Sequence, residues 1–320
     1  VATALVAFLF GAATMSQQGV WGNFSSKATD AGNSITAATD FRAPTASASA
    51  IGKTTGGIAG TIKKGGTYYV YANVSDTGNP ASGVSTVTAN VNSITSGSTA
   101  VALVAGSYTA GGVSYSYRSA SLTAGSSLAA GSYTYSLTPA DAAGNLATQS
   151  GFSVTVDNTA PSGSDVQTSN GSTTNGLAEA GDKVSFNFTK AIDPNSILAG
   201  WNSGSTSVVV HLNNGPGSNN DTVTIFNSTN VTQLPLGSVN LGRGDYTSAS
   251  ITFGATGTAS SMVMSGNTVT ITLGTQSAAA TTVAATGTMT WTPSATATDA
   301  AGNAVSTTTV TELGAADMEF

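Results

Sequence analysis

The sequence predicts an all-β protein of two tandem β-sandwiches preceded by an apolar N-terminal assembly segment. Three observations carry that prediction. Short runs of β-branched and aromatic residues alternate at period two and are cut by Gly, Asn and Ser, the pattern of half-buried antiparallel strands. The string D-A-A-G-N occurs twice, at Asp141–Asn145 and at Asp299–Asn303, each time between strand-like runs. Finally, the chain opens VATALVAFLFGAATM and carries no charged side chain before Lys27.

The opening run defines an apolar assembly segment over 1–24, followed by a polar linker over 25–43. Ala, Leu and Met favour helix over 1–15, and no proline precedes Pro44. Around Val20, Trp21 and Phe24 a strand competes. From Pro44 the first sandwich is expected over 44–160, with strands at 67–75, 84–91, 113–122, 132–137 and 152–156. The second is expected over 161–320, with strands at 183–189, 206–212, 221–226 and 267–273. Ser265-Gly266-Asn267 reads as a tight hairpin, and the loop at 213–221 absorbs extra length. No apolar helical stripe is found after residue 45. In both D-A-A-G-N strings Asp is expected to bond backbone amides and Gly to take positive φ.

Composition excludes several functions. Charged residues are 8% of the chain, against about 25% in ordinary domains. Nine Lys and Arg against fifteen Asp and Glu give a net charge of -6, and Lys63-Lys64 is the one adjacent basic pair. A phosphate-binding surface needs clustered cations, so nucleic acid is not an expected partner. The surface must be mostly hydroxyls, amides and glycine, which tolerates close packing of copies. With no cysteine, disulfide and thiol chemistry are excluded. Asn-x-Ser/Thr triplets at Asn23, Asn73, Asn170, Asn187, Asn220, Asn227 and Asn230 leave glycosylation open.

The D-A-A-G-N hairpin followed by V-D-N-T-A-P (156–161) resembles the strand ends and junctions of bacterial immunoglobulin-like domains in large surface proteins. That resemblance implies immunoglobulin-like sandwiches and says little about activity. The passage GVWGNFSSKATDAGNSITAATDF (19–41) resembles exported fibre-forming proteins of the camelysin/TasA type, which implies an extracellular assembly.

Three fates compete for the front end. An export-signal core of ten to fifteen apolar residues would be removed. A membrane anchor of fifteen helical residues would span about 22 Å, short of the ~30 Å hydrocarbon layer, so membrane association is expected only transiently before assembly. Burial against sister copies is the favoured reading. The segment lacks a basic leader, and Val1 begins where cleavage between such a leader and the apolar core would leave it, the processing logic of pilin-like subunits. Those pilins usually carry a glutamate where this chain has Leu5. Leu5, Phe8, Leu9 and Ala12 share one helical face, while Val6, Phe10 and Ala13 lie on another, and a helix apolar all round must be buried all round. Burying Val1, Leu5, Val6, Phe8, Leu9, Phe10 and Met15 would contribute about 10–20 kcal/mol per subunit as an upper bound. With Trp21 and Phe24 these form the expected subunit interface.

Candidate chemistry is sparse. The single histidine, His211, lies in VVVHLN and reads as structural. Glu179, Glu312 and Glu319 are the only glutamates, and Asp141 and Asp299 read as turn formers, so no glycosidase-like carboxylate pair stands out. Calcium is the more serious alternative, with oxygen ligands from Asp76, Asp141, Asp157 and Asn158 at one domain junction, although no D-x-D-x-D-G loop occurs. Gly-rich runs lack the G-K-S/T ending of a phosphate loop. Tyr68, Tyr69, Tyr71, Tyr115, Tyr117, Tyr133 and Tyr135 alternate at strand spacing and read as packing residues. Lys63 or Lys183 could form an isopeptide with Asn. No cofactor is expected.

The resulting expectation is a non-enzymatic structural subunit of an extracellular filament or pilus, a helical polymer of identical copies at the cell surface. The competing expectation is a surface adhesin that binds its ligand through exposed loops such as 213–221.

Overall fold

The computed structural model describes residues 29–30, 33–34, 40–171, 174–217, 221–316 and 318–320. All nine expected interface residues, Val1, Leu5, Val6, Phe8, Leu9, Phe10, Met15, Trp21 and Phe24, lie outside the described residues, as does the choice between helix and strand for 1–24.

Strands dominate. β1 (Thr29–Asp30) and β2 (Asn33–Ser34) pair antiparallel. The first large sheet uses β3 (Thr45–Lys53), β4 (Thr61–Ile62), β5 (Thr67–Ser75), β6 (Val84–Asn90) and β7 (Val101–Ala110). It continues with β8 (Val113–Ser119), β9 (Leu122–Thr123), β10 (Gly131–Asp141) and β11 (Gln149–Val156). Their order is β3-β5-β8-β7-β6-β10-β11-β4, with β9 beside β5. β7 turns the sheet over: Val101 and Ala102 pair with β6, while Leu103 to Ala110 pair with β8. The two halves thereby face one another in a sandwich-like arrangement around Ile51, Val70, Val87, Leu137 and Val154, all buried.

The second sheet uses β12 (Gly163–Ser169), β13 (Lys183–Phe188), β14 (Thr206–Asn213), β15 (Thr222–Asn227) and β16 (Ser238–Asn240). β17 (Ile251–Phe253), β18 (Ser260–Ser265), β19 (Thr268–Thr272), β20 (Thr290–Thr292) and β21 (Val310–Thr311) complete it. The order is β12-β13-β19-β18-β14-β15-β16-β20-β21, with β17 beside β14. Period-two patterning places Val184, Phe186 and Phe188 of β13 inward beside Val269 and Ile271 of β19. At the centre Trp291 is fully buried, edge-on to Phe186 and Phe188 at centroid distances of 5.3 and 5.0 Å. Its indole N–H donates to the carbonyl of Leu236 at 2.6 Å, so the large ring is buried without orphaning its polar atom.

Every strand expected from the sequence has a counterpart, and β5 matches its expected span to the residue. The hairpin at Ser265-Gly266-Asn267 is the two-residue turn joining β18 to β19, with Gly266 at φ 58°. Strands not foreseen include β3, β7 and β12, whose Ala, Ser and Gly content weakens the β-branched signature. A one-turn helix, α1 (Pro194–Ile197), also escaped the sequence reading because four residues are too few to show a helical stripe. Asp193 caps it, accepting from the amide of Asn195 at 3.0 Å.

Candidate functional site

The two D-A-A-G-N turns build the same local structure in both units. In the first, Asp141 Oδ1 accepts from the Asn145 amide at 2.8 Å, and Asp141 Oδ2 from Asn145 Nδ2 at 2.8 Å. In the second, Asp299 receives the same two bonds from Asn303 at 2.8 and 3.0 Å. The glycines between them sit at φ 91° and 90°, as the turn requires. Each asparagine then reaches back to one further residue: Asn145 Nδ2 donates to the carbonyl of Asp40 at 3.1 Å, and Asn303 Nδ2 to that of Asp157 at 2.9 Å. Asp40 and Asp157 head matching D-x-x-A-P strings, Asp40–Pro44 and Asp157–Pro161. In both, Oδ1 accepts from the amide two residues on, Arg42 at 3.0 Å and Thr159 at 2.9 Å.

A third side chain completes each node, and here the units differ in charge. After β13, Lys190 places its ammonium between Asp157 and Asp299, 2.7 Å from Asp299 Oδ2 and in closer contact with Asp157 Oδ2. After β5, the strand in the matching place beside the first strand of its sandwich, stands Asp76. Ligand oxygens of Asp40, Asp76 and Asp141 all lie within 4.8 Å of one another. Asp40 and Asp141 are buried and Asp76 is half-buried. None of the ion pairs among the described residues involves these three.

Backbone amides organise the acidic node. Asp40 Oδ2 accepts from the amide and hydroxyl of Ser82 at 2.8 and 2.9 Å, while the oxygens of Asp76 accept from the amides of Gly78 and Gly83 at 3.2 and 2.7 Å. The amides of Arg42 and Ser82 hold the Asp40 carboxyl below its ordinary value against the opposing effect of burial. In the basic node, burial raises the Asp157 carboxyl, but its bond to Lys190, the Thr159 amide and the ammonium charge outweigh this and leave it lowered. Burial lowers Lys190, yet the bonds and charges of Asp157 and Asp299 leave it raised.

The basic node is also where the sandwiches meet. Lys53, the last residue of β3, puts Nζ 2.6 Å from Asp193 Oδ2, with only 7% and 1% of the two residues exposed. The same ammonium donates to the Asp299 carbonyl at 2.9 Å and to Thr298 Oγ1 at 3.3 Å. Lys63 Nζ donates to the Gly302 carbonyl at 2.7 Å. Thus Lys53 and Lys63 cover the turn of the second unit, and a Cβ added at Gly302 would touch their stems at 3.7 and 4.0 Å. A Cβ at Gly144, its counterpart, would meet nothing within 4 Å.

Beside this junction runs a groove of about 880 Å³ whose lining is mainly apolar, including Ile58, Tyr115, Ile192, Trp201 and Met264, with Asp193 and Asn195 among its polar residues.

Asp141 and Asp299 are turn formers, as expected. The calcium set read from the sequence is corrected: Asp76 and Asp141 come together, but with Asp40 rather than with Asp157 and Asn158. Asp157 belongs to the other node, and Asn158 instead accepts from the Lys64 amide and donates to the Leu128 carbonyl. Lys63 donates to the Gly302 carbonyl across the junction, and Lys183 lies exposed at the start of β13. His211 stacks on Phe226 at 4.1 Å and bonds Asn230, a structural setting. Tyr68, Tyr71, Tyr115 and Tyr135 are buried as packing residues. Arg118, not foreseen, lies over the rings of Tyr69 and Tyr108 at 4.3 and 4.4 Å. The repeated D-x-x-A-P string was the sequence signal that could have found Asp40; Lys190 had none, because it stands where the first unit has the opposite charge.

No helix among the described residues is long and apolar enough to cross a membrane. No protein-family model, curated protein or solved structure matches the chain.

Proposed function

We propose that this chain is a structural subunit of an extracellular filament, its paired sandwiches being immunoglobulin-like modules and its apolar segment 1–24 the element that joins copies. The observation that carries this reading is the junction. Three ammonium groups, from Lys53, Lys63 and Lys190, engage Asp193, Asp157, Asp299 and the carbonyls of the Asp299–Asn303 turn across or beside one boundary. In a chain with so few charges, committing three of nine basic residues there is a large investment in holding two modules in a fixed relation. Two modules tied together in this way, with a hydroxyl- and amide-rich surface, suit a polymer whose copies pack side by side. The apolar residues Val1, Leu5, Val6, Phe8, Leu9, Phe10 and Met15, with Trp21 and Phe24, supply a non-directional drive for assembly.

The test is assembly itself. The native chain should pellet as fibres visible by electron microscopy without added ligand, and Phe8→Asp with Leu9→Asp should leave folded, soluble protein. Fibres of normal yield from that variant would refute the assignment. The adhesin reading is supported by the apolar groove beside Trp201 and Tyr115. It calls for a monomer that binds a ligand, and sedimentation separates the two.

A further inference from the structure

We propose that the apolar groove beside the junction receives residues 1–15 of a second copy of this chain. The inference rests on the filament reading and names the surface on which the segment docks. At about 880 Å³ the groove falls within the range of about 300–1,000 Å³ typical of sites that enclose most of a bound molecule. Its buried walls come from both sandwiches, Tyr115 from the first and Ile192 and Trp201 from the second. Ile58 and Val113, also in its lining, stand 41% and 48% exposed, two of the few large apolar side chains that the described residues leave open to solvent. A Cβ added at Gly60, Gly112 or Gly200 would meet nothing within 4 Å. The lining backbone there faces open space, and an incoming chain can approach it closely.

The chemistry of the lining selects the occupant. Asp193 is its one charged member among the described residues, and Lys53 already neutralises it. A charged partner would bury its charge against these apolar walls without compensation. Residues 1–15 bring Leu5, Phe8, Leu9 and Phe10, and no charged side chain precedes Lys27. The place of attachment selects the copy. The segment joins the first sandwich through Asp40–Pro44, ahead of β3, whereas the groove lies toward the other end of that strand, where Lys53 meets Asp193. β3 has nine residues, a rise of about 30 Å. The stretch 16–28 alone extends to about 45 Å at most, enough to carry the apolar run to a neighbour. Donor and acceptor thus sit apart on one subunit, so a copy that gives its segment to a neighbour keeps its own groove open for a third. Such a contact is heterologous, and where its rotation does not close it propagates as a filament.

The chain has no cysteine, so disulfide trapping reports the contact without background. Full-length Phe8→Cys and Ile58→Cys are mixed, assembled under reducing conditions, oxidised and run on a denaturing gel. The mixture should give a disulfide-linked dimer that neither variant gives alone, and the double variant should give a ladder of multimers. Val231→Cys, exposed on the second sandwich and outside the groove lining, should give no dimer with Phe8→Cys. In a second arm, Ile58→Asp and Val113→Asp place a charge on exposed positions of the lining. Each should keep the wild-type unfolding midpoint and lower fibre yield about tenfold or more. Fibres that form without the mixed dimer, or at wild-type yield from both Asp variants, overturn the groove assignment and leave the filament reading standing. So does a disulfide between two Phe8→Cys copies, which would set the segments against one another, or a monomeric internal disulfide in the double variant, which would set the segment in its own groove. If wild type forms no fibres, the filament reading falls and the groove assignment falls with it.

Discussion

Lys53 and Asp193 meet across the boundary of the two sandwiches, Nζ to Oδ2 at 2.6 Å, both nearly sealed from solvent. Removing either partner strands the other charge in the interior, and breaking such pairs costs about 3–5 kcal/mol. Lys53→Met and Asp193→Leu should each destabilise the chain by about that amount in denaturant unfolding, while the double variant should recover a large part of the loss. Additive losses would show that the pair does not act as a unit.

Lys190 sets a pH dependence. Asp157 has a lowered pKa, so its stabilisation is complete above its unfolded value near 3.8 and is lost as pH falls through the lower folded value. Lys190 has a raised pKa, so its contribution is complete below 10.5 and is lost as pH rises through the higher folded value. Between those limits the node should be insensitive to pH. The difference in unfolding free energy between wild type and Lys190→Met should therefore be constant from pH 5 to 9 and shrink toward pH 2, measured by urea unfolding at each pH.

Two glycines with similar backbone should respond differently to alanine. Gly144 lies at φ 91° with open space where a Cβ would go, so Gly144→Ala should cost only the conformational penalty, about 1–2 kcal/mol. Gly57 lies at φ 85°, and its Cβ would fall 2.1 Å from Asp193 Oδ2, an atom held by Lys53. Gly57→Ala should cost about 3 kcal/mol or more, because Asp193 must leave its partner. Unfolding midpoints of the two variants compare them directly.

The central ring of the second sandwich offers a cleaner hydrogen-bond measurement. Trp291→Phe keeps an aromatic ring against Phe186 and Phe188 but orphans the buried Leu236 carbonyl and leaves a small void. The expected loss is about 2–4 kcal/mol, read from denaturant unfolding followed by circular dichroism.

The recurrence of D-A-A-G-N made both turns legible before any fold was known, because Asp, Gly and Asn encode their loop through bonds that span only four residues. Period-two alternation likewise disclosed strands such as β5, β13 and β19, whose bulky inward residues stand out against Ser and Thr. Strands made of Ala, Ser and Gly, such as most of β3, carried no comparable contrast.

By itself, then, the sequence determined an all-β chain, the character of its surface and the local geometry of its turns, since these rest on neighbours in the chain. Tertiary structure alone decided that Lys190 meets Asp157 and Asp299, that Lys53 meets Asp193, and that Asp40 and Asp76 gather around Asp141. Those partners lie tens to more than a hundred residues apart. Their proximity is a consequence of strand order and register, which the pattern of any single segment does not contain. A lysine in one unit and an aspartate in the matching place of the other are unrelated letters in the sequence, and only the superposable turns around them make the contrast meaningful.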